Sequence, residues 1–133
     1  MATRSRIGTQ LSDDSILSVY HHWDGYPTWL GRILKTHYNT KAKVAELIDG
    51  GDMSSCWTDS IWGDKLPEGE YSPEYYSARG ENCPPRLDDD ITEFLDNGEE
   101  YSYIFTRADE WICYDLHDIT GKLTEIPEGA LAV

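Results

Sequence analysis

Residues 6–23 alternate apolar and polar positions with a period of two. In 6–11, Ile7, Thr9 and Leu11 share one face and Gly8 lies on the other, which predicts a strand. Ser12, Asp13, Asp14 and Ser15 form a turn cluster, and 16–23 predicts the returning strand. One face of that strand carries Leu17, Val19, His21 and Trp23, the other Ile16, Ser18, Tyr20 and His22. Both are bulky, so both are expected to be covered. The period then lengthens. Trp29, Leu30, Ile33 and Leu34 predict a helix over 28–38, and Asn39-Thr40 breaks it. Thr40 caps a second helix over 41–49, with Val44, Leu47 and Ile48 on one side, and Gly50-Gly51 stops it. So short a connection favours an antiparallel αα-hairpin.

Residues 52–87 are apolar in places but without a period, and Pro67, Gly69, Pro73, Gly80, Pro84 and Pro85 interrupt them. A short strand over 75–78 is the one element expected there. Residues 88–98 predict a short helix with Asp90 as N-cap and Glu93 three residues on, ended by Asn97-Gly98. Strands over 101–106 and 111–116 flank a turn at 107–110, and an edge strand over 122–126 stops at Pro127. The fold expected is a single α+β domain over 1–133. Its mainly antiparallel sheet is built from N- and C-terminal hairpins, with the αα-hairpin packed on one face.

Composition adds rings and charge. The 133 residues include 5 Trp and 9 Tyr against 2 Phe and 2 Met, an aromatic load that argues for a packed chain. No apolar run is long enough to span a bilayer, and no apolar segment follows the basic residues of 1–6, so neither a membrane anchor nor a secretory leader is expected. The 3 cysteines, Cys56, Cys83 and Cys113, are odd in number and widely spaced, which favours reduced thiols over a disulfide framework. The net charge of −14 is lopsided. Residues 1–48 hold 6 basic and 4 acidic side chains, residues 49–133 hold 5 basic and 21 acidic. Such a field repels nucleic acid and attracts basic surfaces.

Candidate chemistry is sparse. His21, His22, Asp24 and His37 lack a metal-binding spacing, and adjacent strand residues face opposite ways, so no metal or cofactor is expected. Asp88, Asp89 and Asp90 fit a helix start better than a cation site. There is no GxSxG, P-loop or dinucleotide fingerprint, so the chain reads as a non-enzyme; the weakest reading is a reaction using His22 and Asp24. Two binding readings remain. Asp59, Asp64, Glu68, Glu70, Glu74 and Glu81 could present carboxylates to a basic groove built for phosphates. Alternatively, His22, Trp23, Asp24, Tyr26, Trp29, Tyr76 and Arg79 could line an aromatic pocket for a nucleotide or other small ligand.

The segments Ser5-Arg6-Ile7-Gly8, Ser18-Val19-Tyr20 and His22-Trp23-Asp24-Gly25-Tyr26-Pro27 resemble a family of small proteins of tailed bacteriophages and prophages. The likeness continues through Gly31-Arg32-Ile33-Leu34 and Gly51-Asp52-Met53-Ser54-Ser55, and touches 76–81. It transfers no catalytic residues. It implies a phage accessory protein in the host bacterial cytoplasm. With the charge pattern, the leading expectation is an anti-defence inhibitor that binds a host protein with a basic surface, a nucleic-acid-handling one being the natural target. Direct nucleic-acid binding is not expected, and a homo-oligomer is left open.

Overall fold

The computed structural model describes residues 3–23, 25–55, 74–80, 83–96, 98–116, 122–124 and 126. The alternating pattern at the front forms β1 (Ser5–Gln10) and β2 (Ile16–His21), paired antiparallel. Their turn closes through the Leu11 N–H donating to the Ser15 carbonyl at 2.8 Å, with Asp14 in the left-handed region at φ 69°. The Asp13 carboxylate accepts from the Ser15 amide and hydroxyl, bonds that hold it below the ordinary carboxylate range.

Strand β1 lies inside the sheet. Its other neighbour is the parallel β6 (Tyr101–Phe105), which forms the second hairpin with β7 (Trp111–Asp115). Two short strands extend the β2 side: β3 (Met53–Ser55), parallel to β2, and β4 (Glu74–Tyr75) beyond it. Strand β5 (Arg86–Asp88) pairs with the other end of β2, and β8 (Lys122–Thr124) extends β7. The order is β4-β3-β2-β1-β6-β7-β8, with β5 beside β2. The two hairpins thus share one mixed, mainly antiparallel sheet in an α+β fold.

Helices cover one face. One wide π-type turn, Pro27–Gly31, leads into α1 (Arg32–His37); Thr40 then caps α2 (Lys41–Asp49) by accepting from the Lys43 amide at 3.2 Å. Leu30, Ile33, Leu34, Val44 and Leu47 meet Ile7, Val19 and Tyr103 in the larger core. The opposite face is covered by α3 (Ile91–Leu95), whose Phe94 packs on Ile16 and Ile104. Gly8 lies beneath it. A Cβ there would stand 2.7 Å from Ile16 and 3.2 Å from Phe94, so a bare backbone lets the ring approach the sheet. Both faces of β2 are therefore covered, as its bulky alternation predicts.

Two expectations are corrected. The strand expected over 75–78 is Glu74–Tyr75 followed by a 3-10 turn, Tyr76–Arg79, closed by Gly80 at φ 85°. With Asp90 as N-cap the helix begins at Ile91, as expected; Asp88, read with the helix start, instead ends β5, where it is buried against Arg86 at 3.0 Å. Asp90 does cap α3, accepting from the Glu93 amide at 2.9 Å. At the end of α2 the expected glycine stop is present: Gly50 is the C-cap and Gly51 takes the left-handed conformation at φ 85°. Packing adds a second demand on Gly50, where a Cβ would stand 2.1 Å from the Tyr75 ring.

Candidate functional site

The Trp23–Pro27 turn ties three parts of the chain together. The Trp23 amide donates to the Ser54 carbonyl at 3.0 Å and the Gly25 amide to the Thr3 carbonyl at 2.8 Å. The Tyr103 hydroxyl donates to the Gly25 carbonyl at 2.6 Å in a buried bond from the middle of the sheet. A Cβ on Gly25 would stand 2.6 Å from Ser5 Oγ, so glycine is needed for close approach. The turn is a structural junction first. Tyr103→Phe strands the Gly25 carbonyl and is expected to lose about 1–3 kcal/mol of stability, read as a lower urea midpoint at unchanged slope.

A polar strip runs across the face away from α1 and α2. Alternation turns Arg6 to that side, where its sheet neighbours are Tyr20 on β2 and Ser102 on β6. Arg6 is 8% exposed. It donates from Nε to Ser18 Oγ at 3.0 Å and from Nη2 to the Ser18 carbonyl at 3.1 Å. Arg86 on β5 stands opposite Ser18 from the other side. Its Nε donates to Asp88 at 3.0 Å and its Nη2 reaches the Phe94 carbonyl at 3.4 Å. Asp52 accepts from the Tyr20 amide at 2.8 Å, and Arg4 lies 3.8 Å from Glu99. Burial, then the neighbouring Arg86 charge, pulls the Arg6 pKa down; Asp52, Asp88 and Glu99 pull the other way.

Rings border the strip. The Tyr20 hydroxyl lies 2.6 Å from His22 Nδ1, and the His22 ring meets Trp23 edge-on at 4.7 Å. Burial, then Glu99 and Tyr76, pushes the Tyr20 hydroxyl up to about 12, so it is a neutral donor at pH 7. His21, one residue earlier, faces the helices and is fully buried. Burial, then the His22 charge, lowers its pKa to about 3.

The residues of the expected pocket do not all converge. His22, Trp23 and Tyr76 belong to the surroundings of Tyr20. Trp29 packs against the larger core under the helices, and the Tyr26 carbonyl accepts the amides of Trp29 and Leu30. Arg79 ends the 76–79 turn, and Asp24 lies outside the described residues. Of the expected acidic face, Glu74 opens β4; Asp59, Asp64, Glu68, Glu70 and Glu81 lie outside the described residues. On the helix side, a separate groove of about 450 Å³ is lined by His37, Tyr38, Lys43, Glu46, Asp49 and Tyr75. Burial, then Lys43, lowers the His37 pKa.

Helix α3 shows an acidic surface that sequence reasoning treated only as helix capping. Phe94 points into the sheet, while Asp89, Asp90, Glu93 and Asp96 are exposed. The available signal was the run 87–106, with seven carboxylates and no basic residue. Among the described residues, no group of three or more His, Cys, Asp or Glu is placed to hold a metal, and no helix is long and apolar enough to cross a membrane. Cys113 is a buried thiol; burial raises it to about 12, which keeps it protonated. No protein-family profile, curated protein or solved structure matches this chain.

Proposed function

We propose that this protein is a non-enzymatic phage accessory protein that captures and blocks a host protein with a basic surface. The observation that carries this reading is the carboxylate surface of α3. Glu93 on this short helix, the capping residues Asp90 and Asp96, and Asp89 just before it are exposed, and Phe94 clamps the helix to the sheet. Carboxylates held on a rigid element form a directed field, and within a Debye length of a basic groove they steer association and fix orientation. The lopsided charge, 21 acidic against 5 basic residues after position 48, extends that field. The likeness of the front of the chain to small phage proteins supports the setting, a bacterial cytoplasm in which nucleic-acid-handling proteins offer such grooves.

The reading makes a salt prediction. Partner capture from a bacterial lysate should weaken steeply between about 50 mM and 500 mM salt, because the Debye length shrinks from roughly 14 Å to about 4 Å over that range. Binding indifferent to salt would contradict an electrostatic interface.

A further inference from the structure

The charges on the polar strip do not pair evenly. Arg86 has Asp88 in contact, and Arg4 faces Glu99. Arg6 is the most buried of the three cations, and among the described residues its guanidinium donates to the hydroxyl and carbonyl of Ser18, with no carboxylate in contact. Removing a guanidinium from water without a contacting anion is costly, and a bound anion offsets that cost. Register places Arg6 and Arg86 on either side of Ser18 on the same face. Two planar guanidiniums so placed can hold one tetrahedral anion between them.

Two further features narrow the ligand. Arg4, Arg6 and Arg86 face Asp52, Asp88, Glu99 and Glu100, so the strip holds no excess of positive charge before anything binds, and the whole protein carries −14. Such a site suits one negative charge and disfavours several. Beside it stand Tyr20, His22 and Trp23, the last 42% exposed and open to stacking.

We propose that the strip between Arg6 and Arg86 binds a phosphodiester carrying an aromatic base, with the phosphate on the two guanidiniums and the base against the His22–Trp23 edge. This inference does not rest on the capture of a host protein, and its test needs no partner.

The test is isothermal titration of the full chain, with thermal melts in parallel. The probes are 3′,5′-cyclic AMP and a dinucleoside monophosphate as singly charged ligands, with ATP and inorganic phosphate for comparison. The diesters are expected to bind more tightly than ATP and to raise the melting temperature. Arg6→Met should abolish this binding while the free protein melts at the same or a higher temperature, because a buried guanidinium without a contacting carboxylate has gone. Arg6→Lys keeps the charge but loses the fork, and should weaken binding by about tenfold or more. Trp23→Ala, at an exposed position, should weaken diester binding by about tenfold; these two variants carry the test if Arg6→Met does not fold. Absence of binding by both diesters would overturn the proposal. So would diester affinity unchanged in Arg6→Lys and Trp23→Ala, or inorganic phosphate binding as tightly as the diesters.

Discussion

Phe94→Ala is expected to cost the protein about 3–5 kcal/mol, the range for emptying a buried aromatic site. Phe94 is fully buried between Ile16 and Ile104, over the bare backbone of Gly8. Helix α3 has five residues, far short of what holds a helix together in water, so it depends on this side chain and on the Asp90 cap. Losing the ring releases the surface that carries Asp89, Asp90, Glu93 and Asp96. Urea unfolding should show the loss as a lower midpoint, and partner capture should fall even where the rest of the sheet remains folded. A loss below about 1 kcal/mol would mean that something other than Phe94 anchors the helix.

The second large effect is acid sensitivity at His21. Its imidazole is fully buried, and its pKa falls from 6.5 to about 3. Between those values the unfolded chain binds a proton that the folded chain excludes. Stability is therefore highest above pH 6.5 and falls as the pH drops toward about 3, by about 1.4 kcal/mol per pH unit. From pH 6.5 to pH 5 the loss from this one residue is about 2 kcal/mol. Protonation of the many carboxylates relieves self-repulsion and works in the opposite sense. The measurement is thus a comparison of wild type and His21→Gln at pH 7 and pH 5, in which all other groups cancel. The His21→Gln protein should lose about 2 kcal/mol less on acidification. Parallel profiles for the two proteins would show that His21 is protonated without cost.

Local signals were legible where they were self-contained. Thr40 and Asp90 cap their helices because a side-chain oxygen followed by a helical run satisfies an exposed amide whatever surrounds it. The hairpins read clearly because alternation and turn residues lie within a few positions of each other. The double coverage of β2 was legible from bulky residues on both of its faces. What was missed depends on distant neighbours. Strands β3 and β5 are three residues each, too short for any period, and exist because β2 offers a free edge whose two ends they pair with. Gly50 was legible as a helix stop, but not the Tyr75 ring arriving from β4, which also excludes a side chain there.

The candidate site divides in the same way. An acidic run without basic residues was readable at 87–106, but its display as an exposed surface required knowing that Phe94 turns inward. Arg6 gave no signal of its own. Its meaning comes from Ser18 on β2 and from Arg86 and Asp88 on β5, which the sheet register brings beside it on β1. The aromatic residues around the Trp23–Pro27 turn were conspicuous in the sequence. Only the fold separates Trp29, which packs on the core, from His22 and Trp23, which stay at the surface beside Tyr20.

The central claim, capture of a basic partner through the acidic surface of α3, is tested most directly by charge reversal. The triple variant Asp89→Lys, Glu93→Lys and Asp96→Lys leaves the Asp90 cap and the Phe94 anchor in place, so its fold should be retained. Quantitative mass spectrometry of proteins captured from lysate would compare it with wild type at low salt. The account predicts a basic partner enriched by wild type, released by salt and lost from the triple variant. Equal capture of that partner by both proteins would contradict it.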